Sequence, residues 1–127
     1  MRDDPQLKAA AGGVVQSVMR NVRGVRGCVV STEDGFEVAA HAQGQGVTAR
    51  LSAMASSMAA LGVIAGQENQ LGDCSSVMVE AAGGFIVMRH ARCRHLTLVL
   101  SVVASREAVL GQVLCVSRQA IKELERA

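Results

Sequence analysis

Between Arg50 and Glu68 the chain runs for 17 residues without a charged side chain. Proline is also missing from Val47 to Gln70, and Ala, Met, Ser and Leu dominate there. The stretch predicts a single helix of roughly 36 Å, the longest element of the chain. A helix on the surface of a monomer shows one polar face, whereas this one shows two apolar stripes. Leu51, Met54, Met58, Leu61 and Ala65 form a bulky stripe, expected to pack on a sheet. Rotated by about 100° lie Ser52, Ala55, Ala59, Gly62 and Gly66, small residues expected to admit a second helix at close range. Ala53, Ser57, Ala60 and Ile64 fill the remaining arc, still without charge. So short a chain has little else to wrap such a helix, and a bare apolar patch is a liability on a monomer. A second copy of the chain is therefore expected to cover it.

With 127 residues the chain makes one domain, spanning 1–127, large enough to bury a core without staples. Half its residues are hydrophobic, and Phe36 and Phe85 are its two aromatics. That composition argues against disorder and against the stacking platforms that single-stranded nucleic acid needs. The 13 basic and 11 acidic residues nearly cancel, so neither a polyanion nor an acidic solvating role is indicated. Cys28, Cys74, Cys93 and Cys115 contain no CxxC pair and read as small hydrophobes of a reduced protein. Met1-Arg2-Asp3-Asp4-Pro5 carries two acids and no apolar block, so no secretory signal is expected. The longest nearly unbroken apolar run, Leu96 to Ala104, falls far short of the roughly 20 residues that span a bilayer. A cytoplasmic protein without membrane insertion is expected.

Along the chain, Asp4-Pro5 reads as an N-cap and first-turn proline, followed by Leu7, Ala10, Val14, Val18 and Val22 at helical spacing. Gly24 ends that helix. Arg26 to Thr32 and Phe36 to Ala40 flank Glu33-Asp34-Gly35, a hairpin signal, and Gly44-Gln45-Gly46 closes the second strand. After the long helix and Gly72-Asp73 come three strand-like runs, Ser75 to Ala81, Phe85 to His90 and His95 to Val103, the first two joined at Gly83-Gly84. Ser105 offers an N-cap for a final helix whose apolar side includes Leu110, Val113, Leu114, Ser117, Ile121 and Leu124. Five strands with short connections imply an α+β fold with a mainly antiparallel sheet and helices on its faces.

Catalytic and cofactor motifs are not indicated. The chain has no GxxxxGK[ST] and no GxSxG, and Ala49 stands where a third fingerprint glycine would follow Gly44 and Gly46. His90, Cys93 and His95 form an HxxCxH cluster in a predicted turn, supplying three metal ligands at most. Arg89, Arg92 and Arg94 crowd the same turn and would repel a cation; they read as a solvated basic turn or as contacts for an acidic partner. No cofactor and no enzymatic activity are expected.

The element order, together with Val22-Arg23-Gly24-Val25-Arg26-Gly27 before Cys28-Val29-Val30-Ser31 and then Asp34-Gly35-Phe36, resembles the Roadblock / dynein light-chain family. Val77-Met78-Val79-Glu80, Gly84-Phe85-Ile86-Val87 and Leu110-Gly111, opening the last helix, extend the resemblance over almost the whole chain. The resemblance implies a five-stranded antiparallel sheet with the long helix on one face and the terminal helices on the other, in the order α-β-β-α-β-β-β-α. It implies a homodimer in which third strands and long helices pair across a two-fold axis. On that basis the interface is expected at Ser52, Ala55, Ala59, Gly62, Gly66, Val77 and Val79, with Arg50, Arg89, Arg92 and Arg94 as partner contacts. Bacterial members of the family regulate Ras-like small GTPases, so the expected function is a non-enzymatic regulatory or scaffold module that binds one and modulates its nucleotide cycle. Rival readings are a small-molecule sensor with a pocket between helix and sheet and, more weakly, a metal enzyme using His90, Cys93 and His95.

Overall fold

The computed structural model describes residues 4–42, 44 and 46–127. The N-terminal Met1-Arg2-Asp3 and Gln45 of the Gly44-Gln45-Gly46 closure lie outside the described residues. Helix α1 (Pro5–Asn21) leads into strands β1 (Val25–Thr32) and β2 (Glu37–Ala42), then helix α2 (Val47–Glu68). Strands β3 (Ser76–Ala81), β4 (Gly84–Arg92) and β5 (Thr97–Ser105) follow, and helix α3 (Leu110–Arg126) ends the chain. All pairings are antiparallel and the strand order is β2-β1-β5-β4-β3. This is the predicted α+β order.

Local chemistry accounts for most element ends. The Asp4 carboxylate accepts from the Gln6 amide at 2.9 Å, capping α1 ahead of Pro5. In the β1–β2 turn the Phe36 amide donates to Thr32 Oγ1 at 3.0 Å, while Gly35 takes a left-handed φ of 93°. At the β3–β4 hairpin a Cβ on Gly84 would stand 2.0 Å from the Ala104 carbonyl oxygen, so only glycine lets β4 lie this close to β5. Two sequence expectations are corrected. Ser105 does not cap the last helix: it ends β5, its carbonyl accepts from the Ala108 amide, and α3 begins after Val109. Strand β4 also runs on to Arg92, two residues past the expected Phe85 to His90 run, so the basic cluster begins in the strand and the turn is shorter than expected.

The sheet is covered on both sides. On one face α1 and α3 pack Leu7, Val14, Val18, Val113 and Leu124 against Cys28, Val30, Val87, Leu98 and Leu100. On the other, α2 packs Leu51, Ala55 and Ala59 against Val29, Met88 and Val99. Here α2 is turned by about 100° from the expected orientation: Leu51 and Met58 of the bulky stripe pack on the sheet as expected, but the small stripe is buried with them. Ser52, Ala55 and Ala59 are buried on their own sheet, while the bulky Met54, Leu61 and Ile64 are each more than half exposed. Gly62 and Gly66 face home as well. A Cβ on Gly62 would meet Val77 Cγ2 at 2.6 Å, and one on Gly66 would meet the Gly72 carbonyl oxygen at 2.6 Å. The small stripe therefore admits the domain's own β3 and the segment before it, and is not open to a second helix. The physical reason is contact distance: the sheet already supplies the bulk in Val29, Met88 and Val99, so small residues on the helix bring the two layers together. Ala59→Arg is accordingly expected to unfold the domain, by about 3–5 kcal/mol, because it buries an unpaired charge. Circular dichroism and urea denaturation check this; a folded variant would show that α2 turns on the sheet more freely than its packing suggests.

The same layer contains polar atoms. Ser31 Oγ, Ser101 Oγ and His90 Nδ1 are buried with no hydrogen-bond partner among the described residues. Ser31 and His90 flank Val99 on either side, and Ser101 lies one step along β5 on the same face. Burial and, secondarily, the Arg92 charge hold the His90 imidazole below its ordinary value, against smaller opposing effects of Glu33 and the Ala59 and Ser75 backbone. A histidine with a lowered folded-state value binds fewer protons folded than unfolded. Its contribution is complete above the unfolded value of about 6.5 and is lost as pH falls below it. Stability is thus expected to decline on acidification from pH about 6.5, and His90→Leu to flatten that decline. Urea midpoints measured across this range decide it.

Candidate interaction surface

Between Arg50 and Glu68 helix α2 carries no charge on any side, so what its sheet-facing stripe leaves over there is uncharged too. Met54 is 51% exposed, Leu61 59% and Ile64 53%. These three project from the side opposite Ala55 and Ala59, and Ser57 lies among them. By length and apolarity α2 resembles a membrane-crossing helix, which a search for unbroken apolar runs does not reveal; here one side of it is packed on the sheet. Leu71 is exposed in the α2–β3 connection, and Met78 is exposed on the opposite, α1/α3, face of β3. Strand β3 pairs with β4 alone, leaving its other edge open. The outward side of α2 is thus an apolar surface, on the other face of the sheet from Met78.

Charge frames this surface. Arg50 and Glu68 are exposed, 18 residues apart on α2, which is five turns of helix, so both lie on the outward line that passes Leu61. The N-terminal part of α2 lies by the start of β1, where Val47 and Leu51 share a cavity with Gly27. Its C-terminal part lies by the start of β3, with Gly62 against Val77. Arg50 is thus at the end of the helix away from the β4–β5 turn. That turn holds Arg92 and Arg94, both exposed. Arg92 Nη2 donates to the Cys74 carbonyl at 3.5 Å and its amide donates to Glu125 Oε2 at 2.9 Å. Arg89, expected with them, is only 9% exposed: it points to the α3 face, where its Nε donates to Ser117 Oγ at 2.9 Å. It is removed from the partner contacts of the turn. Burial and the nearby Arg118 lower its pKa from the ordinary arginine value.

Of the expected interface residues, Ser52, Ala55 and Ala59 are buried at home, and Gly62, Gly66 and Val77 are engaged with their own domain. Val79 is half-buried and lines a shallow groove with Ile86 and Arg26. Met54, Leu61, Ile64 and Met78 are the residues that sequence reasoning missed as surface. The signal that could have found them was the arc holding Ile64, which had nothing assigned to cover it.

The HxxCxH residues are separated. His90 faces α2, Cys93 Sγ lies 3.4 Å from the Leu124 carbonyl on the α3 side, and His95 is exposed. No group of three metal-ligating side chains occurs among the described residues. Burial raises Cys28 to about 12, and burial with Glu125 nearby raises Cys93, so neither thiol is activated. A cavity of about 600 Å³ lies between α2 and the sheet, bordered by Met19, Arg26, His41, Leu51 and Val103.

The chain's fold is shared with solved structures. A Roadblock/LC7 domain from Streptomyces avermitilis superposes with a TM-score of 0.82 at 22% identity, covering 91% of this chain and 94% of that one. The gliding protein MglB of Thermus thermophilus gives 0.82 at 17% identity, covering 94% and 89%. MglB of Myxococcus xanthus gives 0.76 at 15% identity, covering 98% and 95%. Among curated proteins none matches the sequence. The family model of the Roadblock/LC7 domain matches residues 13–101, from the first helix into the last strand. The chain belongs to the Roadblock/LC7 domain family.

Proposed function

We propose that this chain is a homodimeric, non-enzymatic regulatory module that binds a Ras-like small GTPase and modulates its nucleotide cycle. The observation that carries the reading is the uncovered side of α2, where Met54, Leu61 and Ile64 stand in solvent between Arg50 and Glu68. A second copy laid antiparallel would cover those apolar residues and bring each Arg50 opposite Glu68 of the partner subunit. The likeness to two MglB structures supports a bacterial regulatory setting for the fold, and the family resemblance supplies the GTPase as partner class. Four free cysteines accord with a reducing cytoplasm.

Leu61→Asp is expected to leave the domain folded, because the residue is exposed, and to convert dimer to monomer at micromolar concentration. Sedimentation velocity measures this, and a wild-type chain that sediments as monomer would sink the homodimer reading. For the partner, titration with GTP-loaded and GDP-loaded Ras-like GTPases of the same cell, followed by hydrolysis rates, tests the assignment directly. Replacing Arg92 and Arg94 with Ala is expected to weaken that association several-fold and to flatten its salt dependence, as a basic turn meeting an acidic patch would. Equal affinity at low salt would return the turn to plain solvent.

A second reading rests on the cavity beside Arg26 and His41. A small-molecule sensor would use it, with apolar walls and a basic rim suited to an amphiphile with an acidic head. Ligand-dependent melting of the purified chain separates this reading from the first.

A further inference from the structure

We propose that Arg89 and Arg118 receive acidic side chains of a partner protein, whose amphipathic helix docks beside α3 on the α1/α3 face of β3. This site lies on the other side of the sheet from the uncovered side of α2. It depends on neither the homodimer nor the GTPase proposed above.

The layer of helices leaves the seat. In the strand order β2-β1-β5-β4-β3, α1 packs on β1 and β2 and α3 on β5 and β4, and neither touches β3. Packed helix axes stand about 8–10 Å apart, two strand spacings, so the next place in this layer falls at β3. Its floor is Ser76, Met78 and Glu80, which lie opposite Arg89, Val87 and Phe85 on the α1/α3 side and are all exposed. Its wall is the side of α3 turned away from α1. Val116 and Glu123 mark the other side, where they share a narrow groove with Val14 and Ser17. Helical spacing puts Leu114, Arg118 and Ile121 toward β3, with Arg118 exposed and the two apolar residues half-buried.

Charge names the occupant. Arg89 is 9% exposed, and its Nε donates to the neutral Ser117 Oγ. Burial and the repulsion of Arg118 both disfavour its charged form. Neither arginine pairs with a carboxylate among the described residues. The acids that border this side are engaged or distant. Glu125 Oε2 accepts from the Arg92 amide at 2.9 Å, while Glu80 stands four residues along β3 from Ser76, about 13 Å away. No Arg89 nitrogen is among the buried atoms that lack a partner, so its free Nη groups reach solvent. Two guanidinium groups without an acid between them are suited to carboxylates. A free anion would satisfy them and leave Met78 in water. An amphipathic helix satisfies both, its acids on the arginines and its apolar residues on Met78, Leu114 and Ile121.

Binding of a fluorescein-labelled peptide to the full chain, read by fluorescence anisotropy at low salt, tests this. The peptide is about 15 residues long with Leu and Glu at helical spacing, and a twin carries Lys in place of Glu. The acidic peptide is expected to bind and the basic twin is not. Arg118→Glu, at an exposed position, and Met78→Asp are each expected to weaken binding about tenfold. Arg94→Glu, on the neighbouring turn, is expected to change it by less than about twofold. Arg118→Gln is expected to weaken binding and to raise the urea midpoint of the free chain, because it relieves the repulsion on Arg89. An acidic peptide that does not bind, or that responds to Arg94→Glu as strongly as to Arg118→Glu, would overturn the site. So would a lowered urea midpoint, which would mean that Arg118 serves the domain's own fold. Unchanged affinity in Met78→Asp would reduce the site to one for small anions and overturn the helix. A change in the sedimentation of the free chain with Arg118→Glu would give this face to a second copy and overturn the separate partner.

Discussion

The contact on which this molecule depends is the close approach of α2 to the Val29, Met88 and Val99 surface. It is made by the smallest side chains of the helix, Ala55 and Ala59, flanked by Ser52 and by Gly62, which would clash with Val77 if it carried a Cβ. This places the helix axis near the sheet and closes the second core. It has a necessary consequence for the other side. A helix of 22 residues with no polar face, set down on its small residues, must show its large ones to solvent. The exposed Met54, Leu61 and Ile64 are therefore the direct complement of the core contact. The domain could not have buried them without giving up its tight layer spacing.

The fold is readable from the chain to the extent that its signals are local. Asp4-Pro5 marks a helix start, and the turn at Glu33-Asp34-Gly35 and the glycines at the β3–β4 hairpin mark reversals that depend only on neighbouring residues. Alternation and helical spacing then separate strands from helices. Orientation is what local signals miss. Periodicity tells which residues share a face only where faces differ in polarity, and in α2 they differ in size alone. Size points inward or outward according to what the opposing surface already supplies, which is a property of the assembled sheet. Ser105 misleads in the same way. A serine followed by Glu107 satisfies the local rule for a cap, but its carbonyl instead closes a turn with Ala108 at the end of β5. Arg92 misleads because a strand continuing through basic residues looks, in sequence, like a turn.

The polar atoms under α2 show what the second core is not. The α1/α3 side is built mainly from Val, Leu and Ala, and its buried Arg89 and Ser117 hydrogen-bond to each other, whereas on the α2 side Ser31 Oγ, Ser101 Oγ and His90 Nδ1 are buried without a partner among the described residues. Each unsatisfied group is unfavourable by about 1–3 kcal/mol, so the α2 layer is the weaker of the two. The weaker layer also carries the exposed apolar side. Association that presses α2 onto its sheet would strengthen the part of the fold that is least well satisfied alone, and stability would then rise with protein concentration.

The two edges of the sheet differ in how they are protected. Strand β2 is an edge in the strand order, but it lies between α1 and α2, which both pack against it. Strand β3 is touched by α2 alone and carries none of the usual safeguards of an open edge: no proline, no lysine, and one charge, Glu80. Its open face holds Met78 between Ser76 and Glu80, with a buried arginine one strand behind. An edge so little defended in a chain with an apolar helix beside it would invite indiscriminate pairing if backbone hydrogen bonds alone set its partner.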